Sequence, residues 1–567
     1  MRLSERMTRW SALLGLVAVF GCNSLDVENP NAPDAERAFS DPSAVAGLIT
    51  GGFKGWFNTN HEFNSGLVLN AMADALSASW NNFNLRYYSS DGNECPVRCG
   101  WDNRSTSALY PQLEVYWYGY YGVLSNANDV LTAIRKNDVI VGGQANTDRL
   151  EAIAVMLQGM AFSQIALNYD RGFVVTEDTD ISTPEAVAAI PILDRVEVRD
   201  AAIDKFDEAV ALMQASPFTT DAAWMGKSGG PTYSSAFLIR LIRTMQAEAL
   251  ALFPRTAAEN AQVNWGQVAT YASQGLNDDF RFVQDGYAGD WYSGVNDWGN
   301  DNGTMRVDTR LARLITDGPQ GEALRHKDPW PNPDGNPVPD AFDARVGNGT
   351  WGPEDDLLGT GSIAEDAGAG TDFAYFSLAI FVPARGQYHQ SNLGYVRYTY
   401  LAYPGYGLPG EDGIGEVVVY GKAFNDLLWA EGLIRSGGSA AQAAGLINNT
   451  RVTRGGLTPL DGSEGTAALL SALQYEQDIE LLTMGAVPYY NRRRIDGLKA
   501  MSPRQMPIPA KELQILQQEL YSFGGPDNPE GLAPGVDGSG KRVRHVREIW
   551  ADIERMTRAE AVRRNRR

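Results

Sequence analysis

Cysteine and histidine are scarce, 3 and 4 of 567 residues. A zinc centre built on clusters of the two is thereby nearly excluded, and no cofactor is expected. Positive charge is in deficit. Lys and Arg total 48 against 69 Asp and Glu, a net charge of −21, so most of the surface repels a nucleic-acid backbone. Long apolar runs are missing after the first twenty-two residues, where no stretch reaches the ~18 apolar residues of a bilayer span. A clean repeat period is missing too. Disorder is excluded by what is plentiful: 44% of the residues are hydrophobic and 10% aromatic, enough for a large core.

The start of the chain reads as an export signal. Arg2, Arg6 and Arg9 precede an uncharged, mostly apolar run from Trp10 to Phe20. That run is too short for a mature membrane helix and right for a signal peptide over residues 1–21. It ends Val19-Phe20-Gly21-Cys22, which resembles a bacterial lipobox. Cleavage before Cys22 and acylation of its thiol and amine would tether the protein firmly to a membrane. The alternative is an ordinary signal peptide with an incidental Cys. In an oxidising compartment Cys95 and Cys99 are expected to close a small disulfide loop, the alternative being two free thiols.

Residues 22–40 read as an extended leader, because Pro30, Pro33 and their Asn neighbours oppose a helix. Asp41-Pro42 then opens one. Helical periodicity predicts further helices over Tyr116–Ile134, Asp148–Tyr169, Val196–Gln214, Tyr233–Phe253, residues 259–275, Glu416–Arg435, Ala440–Thr453 and Thr466–Met484. Residues 57–115 and 280–415 differ. They are rich in Gly, Asp, Asn, Pro and aromatics, with strand-like pieces at Phe376–Val382 and Tyr395–Tyr400. They read as two irregular insertions, and long loops of that kind are usually functional. The fold class expected is mostly α: tetratricopeptide-like helix pairs in a right-handed scaffold, with aromatic-rich loop insertions and few short strands. A single domain would span 41–523, followed by a loop and tail over 524–567. Within the tail, residues 541–567 hold ten Lys/Arg and four Asp/Glu, with Val546, Ile549, Trp550, Ile553 and Met556 at helical spacing. Such a basic amphipathic segment could touch anionic lipid or an acidic protein rim, or be a solvated helix.

Several short motifs occur in a specific order. Leu25-Asp26-Val27 is followed by Phe39 and Asp41-Pro42, then by Tyr116-Trp117 with Asn126-Ala127-Asn128. Gln158-Gly159-Met160-Ala161-Phe162 precedes Leu167-Asn168-Tyr169. Late in the chain come Ala430-Glu431-Gly432, then Ile447 to Leu457 with Asn448, Arg451 and Arg454, then Pro507-Ile508-Pro509-Ala510-Lys511-Glu512. Together, from Cys22 to about Leu516, they resemble the SusD/RagB family of outer-membrane nutrient-binding lipoproteins. One element departs from the family pattern, Tyr475 to Leu481 with Gly485 and Asn491-Arg492-Arg493. The resemblance implies a lipid-anchored protein at the outer membrane's cell surface. It would sit as a lid on a TonB-dependent β-barrel (SusC-like) transporter, capture an oligosaccharide or a peptide, and catalyse nothing.

Sugar binding needs aromatic faces for the CH-rich side of a pyranose and planar polar groups for its hydroxyls. The candidates are Trp80, Tyr87, Tyr88, Trp101 and Asn103 in the first insertion and Trp291, Trp298 and Trp330 in the second. Each could instead pack a core, as Trp56 and Trp429 are expected to do. Enzymatic readings are weak. Gly226-Lys227-Ser228-Gly229-Gly230 fits G-x-S-x-G, but no convincing strand precedes it. Acidic pairs such as Asp278-Asp279 and Glu354-Asp355-Asp356 could serve a glycosidase, yet acidic residues are abundant. Asp297, Asp301 and Asn302 could offer oxygens to Ca²⁺, but Gly299 breaks the EF-hand pattern and no metal is expected. The alternatives to nutrient binding are a protein-binding helical scaffold and, more remotely, a secreted glycoside hydrolase.

Overall fold

The computed structural model describes residues 42–78, 84–89, 97–227, 229–286, 290–300, 304–317, 343–351, 372–376, 393–397 and 414–526, with isolated positions 81, 95, 391, 528 and 531. The proposed signal, leader and basic tail lie outside them. So do Cys22, Trp80, Trp330, Ser228, Asp301, Asn302 and the Glu354–Asp356 run.

Helix α1, Pro42–Asn60, starts on the proline and buries Val45, Ile49, Phe53, Trp56 and Phe57, an apolar stripe at 3.6 spacing. Helix α2, Phe63–Met72, is capped by Glu62, whose carboxylate accepts from the Asn64 and Ser65 amides, and it is buried from Ser65 to its end. A short strand β1, Leu76–Ser77, and helix α3, Leu85–Ser89, follow. Half of the first expected insertion is therefore helix and core, because its apolar residues pack α1 and α2 inward.

The helical scaffold comes next. Helix α4, Pro111–Leu131, runs on as a π-turn to Lys136. Helix α5, Gln144–Asn168, is buried on every side from Ala152 onward. It is the one helix among the described residues long and apolar enough to cross a bilayer, but it fills the protein core. Strands β2, Arg171–Gly172, and β3, Leu193–Asp194, pair across the small helix α6, Pro184–Ala188. Helix α7, Arg195–Ala215, opens with an Asp194–Glu197 capping box. Helix α8, Ser235–Ala251, is capped by Ser234. The helix expected over 259–275 is two, α9 at Ala257–Asn260 and α10 at Trp265–Ser273, because Asn264 leaves the helical conformation to cap the second. Sequence neighbours pack on one another: α4 on α5, α5 on α7, α7 on α8 and α8 on α10. Where α5 crosses α7, a Cβ on Gly159 of α5 would lie 2.7 Å from the Phe206 ring of α7.

The second half mixes elements. Strand β4, Phe280–Asp285, is followed by helix α11, Gly294–Asn300, strand β5, Arg306–Val307, and helix α12, Thr309–Asp317. Strands β6, Val346–Trp351, β7, Phe373–Phe376, and β8, Leu393–Tyr395, form a small mixed sheet. Strand β9, Ile414–Tyr420, pairs antiparallel with β4. Residues 416–420, expected as the start of a helix, are strand: the β-branched run Val417-Val418-Val419 meets a partner strand, and Gly421 separates it from helix α13, Lys422–Ser436. Helices α14, Ala440–Arg451, α15, Thr466–Ile479, α16, Val487–Arg493, and α17, Ala510–Ile515, complete the order. Trp56 is fully buried and Trp429 half-buried against the same core. Contacts continue past Phe523, where the Arg504 amide donates to the Gly531 carbonyl at 3.0 Å.

Buried arginines tie the elements together, and Arg493 reaches from the second half to the first. Arg255 donates to the carbonyls of Ala166 and Phe253, and Arg493 to those of Leu167 and Leu252. These are carbonyls at the ends of α5 and α8, where unpaired acceptors and the helix dipole favour a cation. Burial lowers the Arg493 pKa to about 10. Arg345 is wholly buried among Asp343, Glu476 and Glu480, at 2.7, 2.9 and 3.1 Å. Arg454 bonds Glu480 at 2.9 Å and also Asp372, so segments 343–351 and 372–376 are held to α14 and α15 by ion pairs. The motif residue Glu431 meets Arg494 and Arg435 at 2.5 and 2.6 Å.

Candidate functional site

The two aromatic blocks, far apart in sequence, meet in space. Strand β1 of the first pairs with β5 of the second, Leu76 opposite Val307 and Ser77 opposite Arg306. The Asp308 amide donates to the Ala75 carbonyl at 3.0 Å. Arg310 donates to the Asp74 carbonyl at 3.0 Å and pairs with Asp478 at 2.7 Å. Helices α3 and α11 both pack on α2. The candidate rings Tyr87 and Trp298 therefore flank one buried helix, and both are half-buried against the core.

The other described candidates are corrected by their burial. Tyr88 is inside, 4.9 Å edge-on to Tyr87 and 5.2 Å from Trp101. Trp101 is buried, and its indole N–H donates to the Gln505 carbonyl at 2.8 Å. Asn103 donates to the carbonyls of Ile508 and Tyr521, both at 2.9 Å, and accepts from the Ala510 amide at 2.8 Å. It thus fastens the Pro507–Pro509 segment and has no group left for a sugar. Trp291 lies against Phe282 and Phe57 at 5.7 and 6.0 Å. A ring buried to 3% exposure has no face to offer a ligand, and the aromatic–aromatic contact explains why these residues are there.

The loop before Trp101 is also built from inside. Cys95 and Cys99 are bonded, with Cα atoms 5.3 Å apart. Between them Arg98 is buried and donates to the Tyr88 carbonyl and to Asp74. The loop is thus tied to the ends of α2 and α3. His61 is fully buried against the Ser293 hydroxyl at 2.8 Å, and burial lowers its pKa to about 3. It is a neutral packing group.

The chemical motifs resolve into structural roles. Gly226 has φ +153°, and a Cβ there would lie 2.7 Å from the Val283 carbonyl, so the loop hugs β4. Ala222–Met225 before it is a single 3₁₀ turn, which is no strand to carry a nucleophile elbow. Asp279 accepts from the Lys422 amide at 2.8 Å and from Arg281 at 2.7 Å, which makes it a helix-start and ion-pair residue. Asp297 accepts from the Tyr292 hydroxyl at 2.6 Å. Among the described residues no group of three or more His, Cys, Asp or Glu could hold a metal ion.

No protein-family model matches the chain, and no curated protein does. Solved structures do. A SusD homolog from Bacteroides thetaiotaomicron superposes with a TM-score of 0.56 at 13% identity, covering 87% of this chain and 98% of that one. This chain has a SusD-like fold. A SusD-like carbohydrate-binding protein from Bacteroides fragilis gives 0.53 at 12% identity, over 90% and 96% of the two chains. A SusD superfamily protein from Bacteroides vulgatus gives 0.51 at 13%, over 84% and 97%. The SusD-like scaffold accounts for two motif residues: Glu431 and Arg454 sit in its buried ion pairs. Two aromatic residues that are not among the candidates face water. Tyr110 and Tyr118, on the open side of α4, are the exposed aromatic rings of the described surface. Their spacing opposite the buried Tyr116, Trp117 and Tyr120 was the available signal.

Proposed function

We propose that the protein is a cell-surface nutrient-binding lipoprotein, tethered through acylated Cys22, that captures an oligosaccharide and hands it to a TonB-dependent outer-membrane barrel. It performs no chemistry on its ligand. Residues 1–21 would be removed, 22–40 would form the lipidated leader, and the domain from 41 to about 523 would carry the ligand, with the basic tail beyond it. The observation that carries this reading is the SusD-like fold, which spans 98% of a solved SusD homolog. A second such structure is that of a SusD-like carbohydrate-binding protein. Peptide capture is the same reading with a different cargo, and the abundance of aromatic rings favours sugar.

The test is gentle detergent extraction of the native membrane, followed by identification of what accompanies the protein. A co-purifying large β-barrel supports the proposal, and recovery of the protein alone at several detergent strengths overturns the transporter partnership. Cys22→Ala should release the protein from the membrane; a variant that stays bound would remove the lipid anchor from the account.

A further inference from the structure

Strands β2 and β3 close off an excursion of the chain, residues 173–192, that carries the small helix α6. No residue of α6 is buried. Eight large apolar side chains are open among the described residues, and three of them belong to this excursion and the turn after it. Ile181 is 63% exposed, Val187 48% and Val196 43%. Single exposed aliphatics need no explanation, but a local group of them on an otherwise unpacked helix does. The same stretch is acidic. Residues 176–200 hold seven Asp/Glu and two Arg. Arg135 and Lys136 reach in to Glu177 and Asp178, which still leaves a net −3. Asp180 and Glu185 are exposed and have no ion-pair partner among the described residues.

The last described residues of the chain lie at the foot of this excursion. The Tyr521 hydroxyl donates to Asp170 at 2.7 Å, and the Arg171 guanidinium of β2 sits 4.9 Å over the Tyr521 ring. The Asp170 carbonyl also accepts from the Arg195 amide at the start of α7, at 3.2 Å. Further on, the Gly531 carbonyl accepts from the Arg504 amide, and the Arg504 side chain donates to the Arg255 carbonyl at 3.1 Å. Phe253, two residues from Arg255, holds its ring 4.5 Å beneath Arg199 of α7. Ten residues lead from Gly531 to Lys541, a reach of up to about 33 Å, or about three helix diameters. From Lys541 on, the chain turns basic, with ten Lys/Arg against four Asp/Glu and with Val546, Ile549, Trp550, Ile553 and Met556 at helical spacing.

From this we infer that the basic segment 541–567 folds back on the α6 excursion of its own chain. Its cations meet Asp180 and Glu185, and its apolar side covers Ile181, Val187 and Val196. Charge of opposite sign attracts the segment, and the short tether holds it at high effective concentration. Anionic lipid would be repelled by the excursion, and a second copy would bring its own net charge of −21 with its tail.

The experiment is hydrogen–deuterium exchange on the full mature chain in neutral detergent. Wild type is compared with a tail variant, Lys541→Glu/Arg542→Glu/Arg544→Glu/Arg547→Glu, and with a lobe variant, Asp180→Lys/Glu185→Lys. Amides of 176–196 should exchange about threefold or more faster in the tail variant, and amides of 546–556 likewise in the lobe variant. The buried amides of α5 should not change in either, which shows that both variants fold. Salt at about 1 M, where the screening length falls to about 3 Å, should erase most of the protection. Equal exchange of 176–196 in wild type and tail variant overturns the inference. So does tail protection that survives in the lobe variant, that needs added phosphatidylglycerol vesicles, or that disappears on dilution as contact between two copies would.

Discussion

The scaffold from α4 to α10 and the region from residue 343 to α16 are held by different physics. In the scaffold, helices meet through apolar faces, as where Gly159 lets α5 approach Phe206 of α7. In the second region, small strands bury Phe373, Leu393 and Tyr395 and are also held to α14 and α15 by arginines among buried carboxylates. Apolar packing needs long regular elements that interdigitate. Ion pairs can add to the few apolar side chains that short strands carry. The carboxyls show the same division. Glu248 of the scaffold is buried with only Tyr420 and Gln164 as partners, and burial pushes its pKa up to about 7. Glu431 is equally buried, yet Arg494 and Arg435 override the burial and hold it down to about 2.

The largest effect should come from the centre of the ionic region. Arg345→Met leaves Asp343 and Glu476 buried together without their cation, while Glu480 keeps Arg454 and Arg397. Breaking such a cluster typically costs about 3–5 kcal/mol, which denaturant unfolding would register. A loss below about 1 kcal/mol would show that the apolar contacts hold this region after all.

The two carboxyls should then respond to pH with opposite signs. The folded pKa of Glu431 lies below its unfolded value, so its contribution is full above about pH 4.5 and is lost as the pH falls toward 2. That of Glu248 is raised, so its favourable protonated state is lost as the pH rises from about 4.5 through 7. Each shift corresponds to roughly 3 kcal/mol. Glu248→Gln should therefore stabilise the protein above pH 7 and do little below pH 4.5, as thermal melts across that range would reveal. Glu431→Gln should destabilise it at neutral pH and progressively less in acid. Matching pH profiles for the two variants would erase the contrast between the regions.

A smaller effect is expected inside the scaffold. Gly159→Ala sets a methyl 2.7 Å from Phe206. Overpacking of that kind costs about 1–3 kcal/mol, offset by up to about 1 kcal/mol of better helix propensity. The smallest concerns the surface pair Lys54–Asp290, 3.1 Å apart and exposed on both sides. Lys54→Ala should change stability by no more than about 0.5 kcal/mol, and a larger change would mean that exposed ion pairs also hold this fold.

The long helices were legible because their apolar residues recur at helical spacing, as from Asp148 to Tyr169, where the helix runs Gln144–Asn168. Strand β9 was missed for a physical reason. Its apolar run abuts a true helix, and only its partner β4, over a hundred residues earlier, tells strand from helix. The candidate aromatics were legible as aromatics but not as surface. Nothing in the local sequence separates Trp101, bonded to Gln505 in the interior, from Tyr118, open on α4.

The sequence by itself determined what periodicity and composition carry: a mostly helical body, its cap residues, its acidic surface and the ordered motifs that resemble SusD/RagB proteins. Those properties depend on residues within a turn or two of one another. Tertiary structure alone decided that β1 meets β5, that Arg345 finds its three carboxylates, and which rings face water. Burial and charge pairing depend on residues brought together from across the chain, and no local pattern contains them.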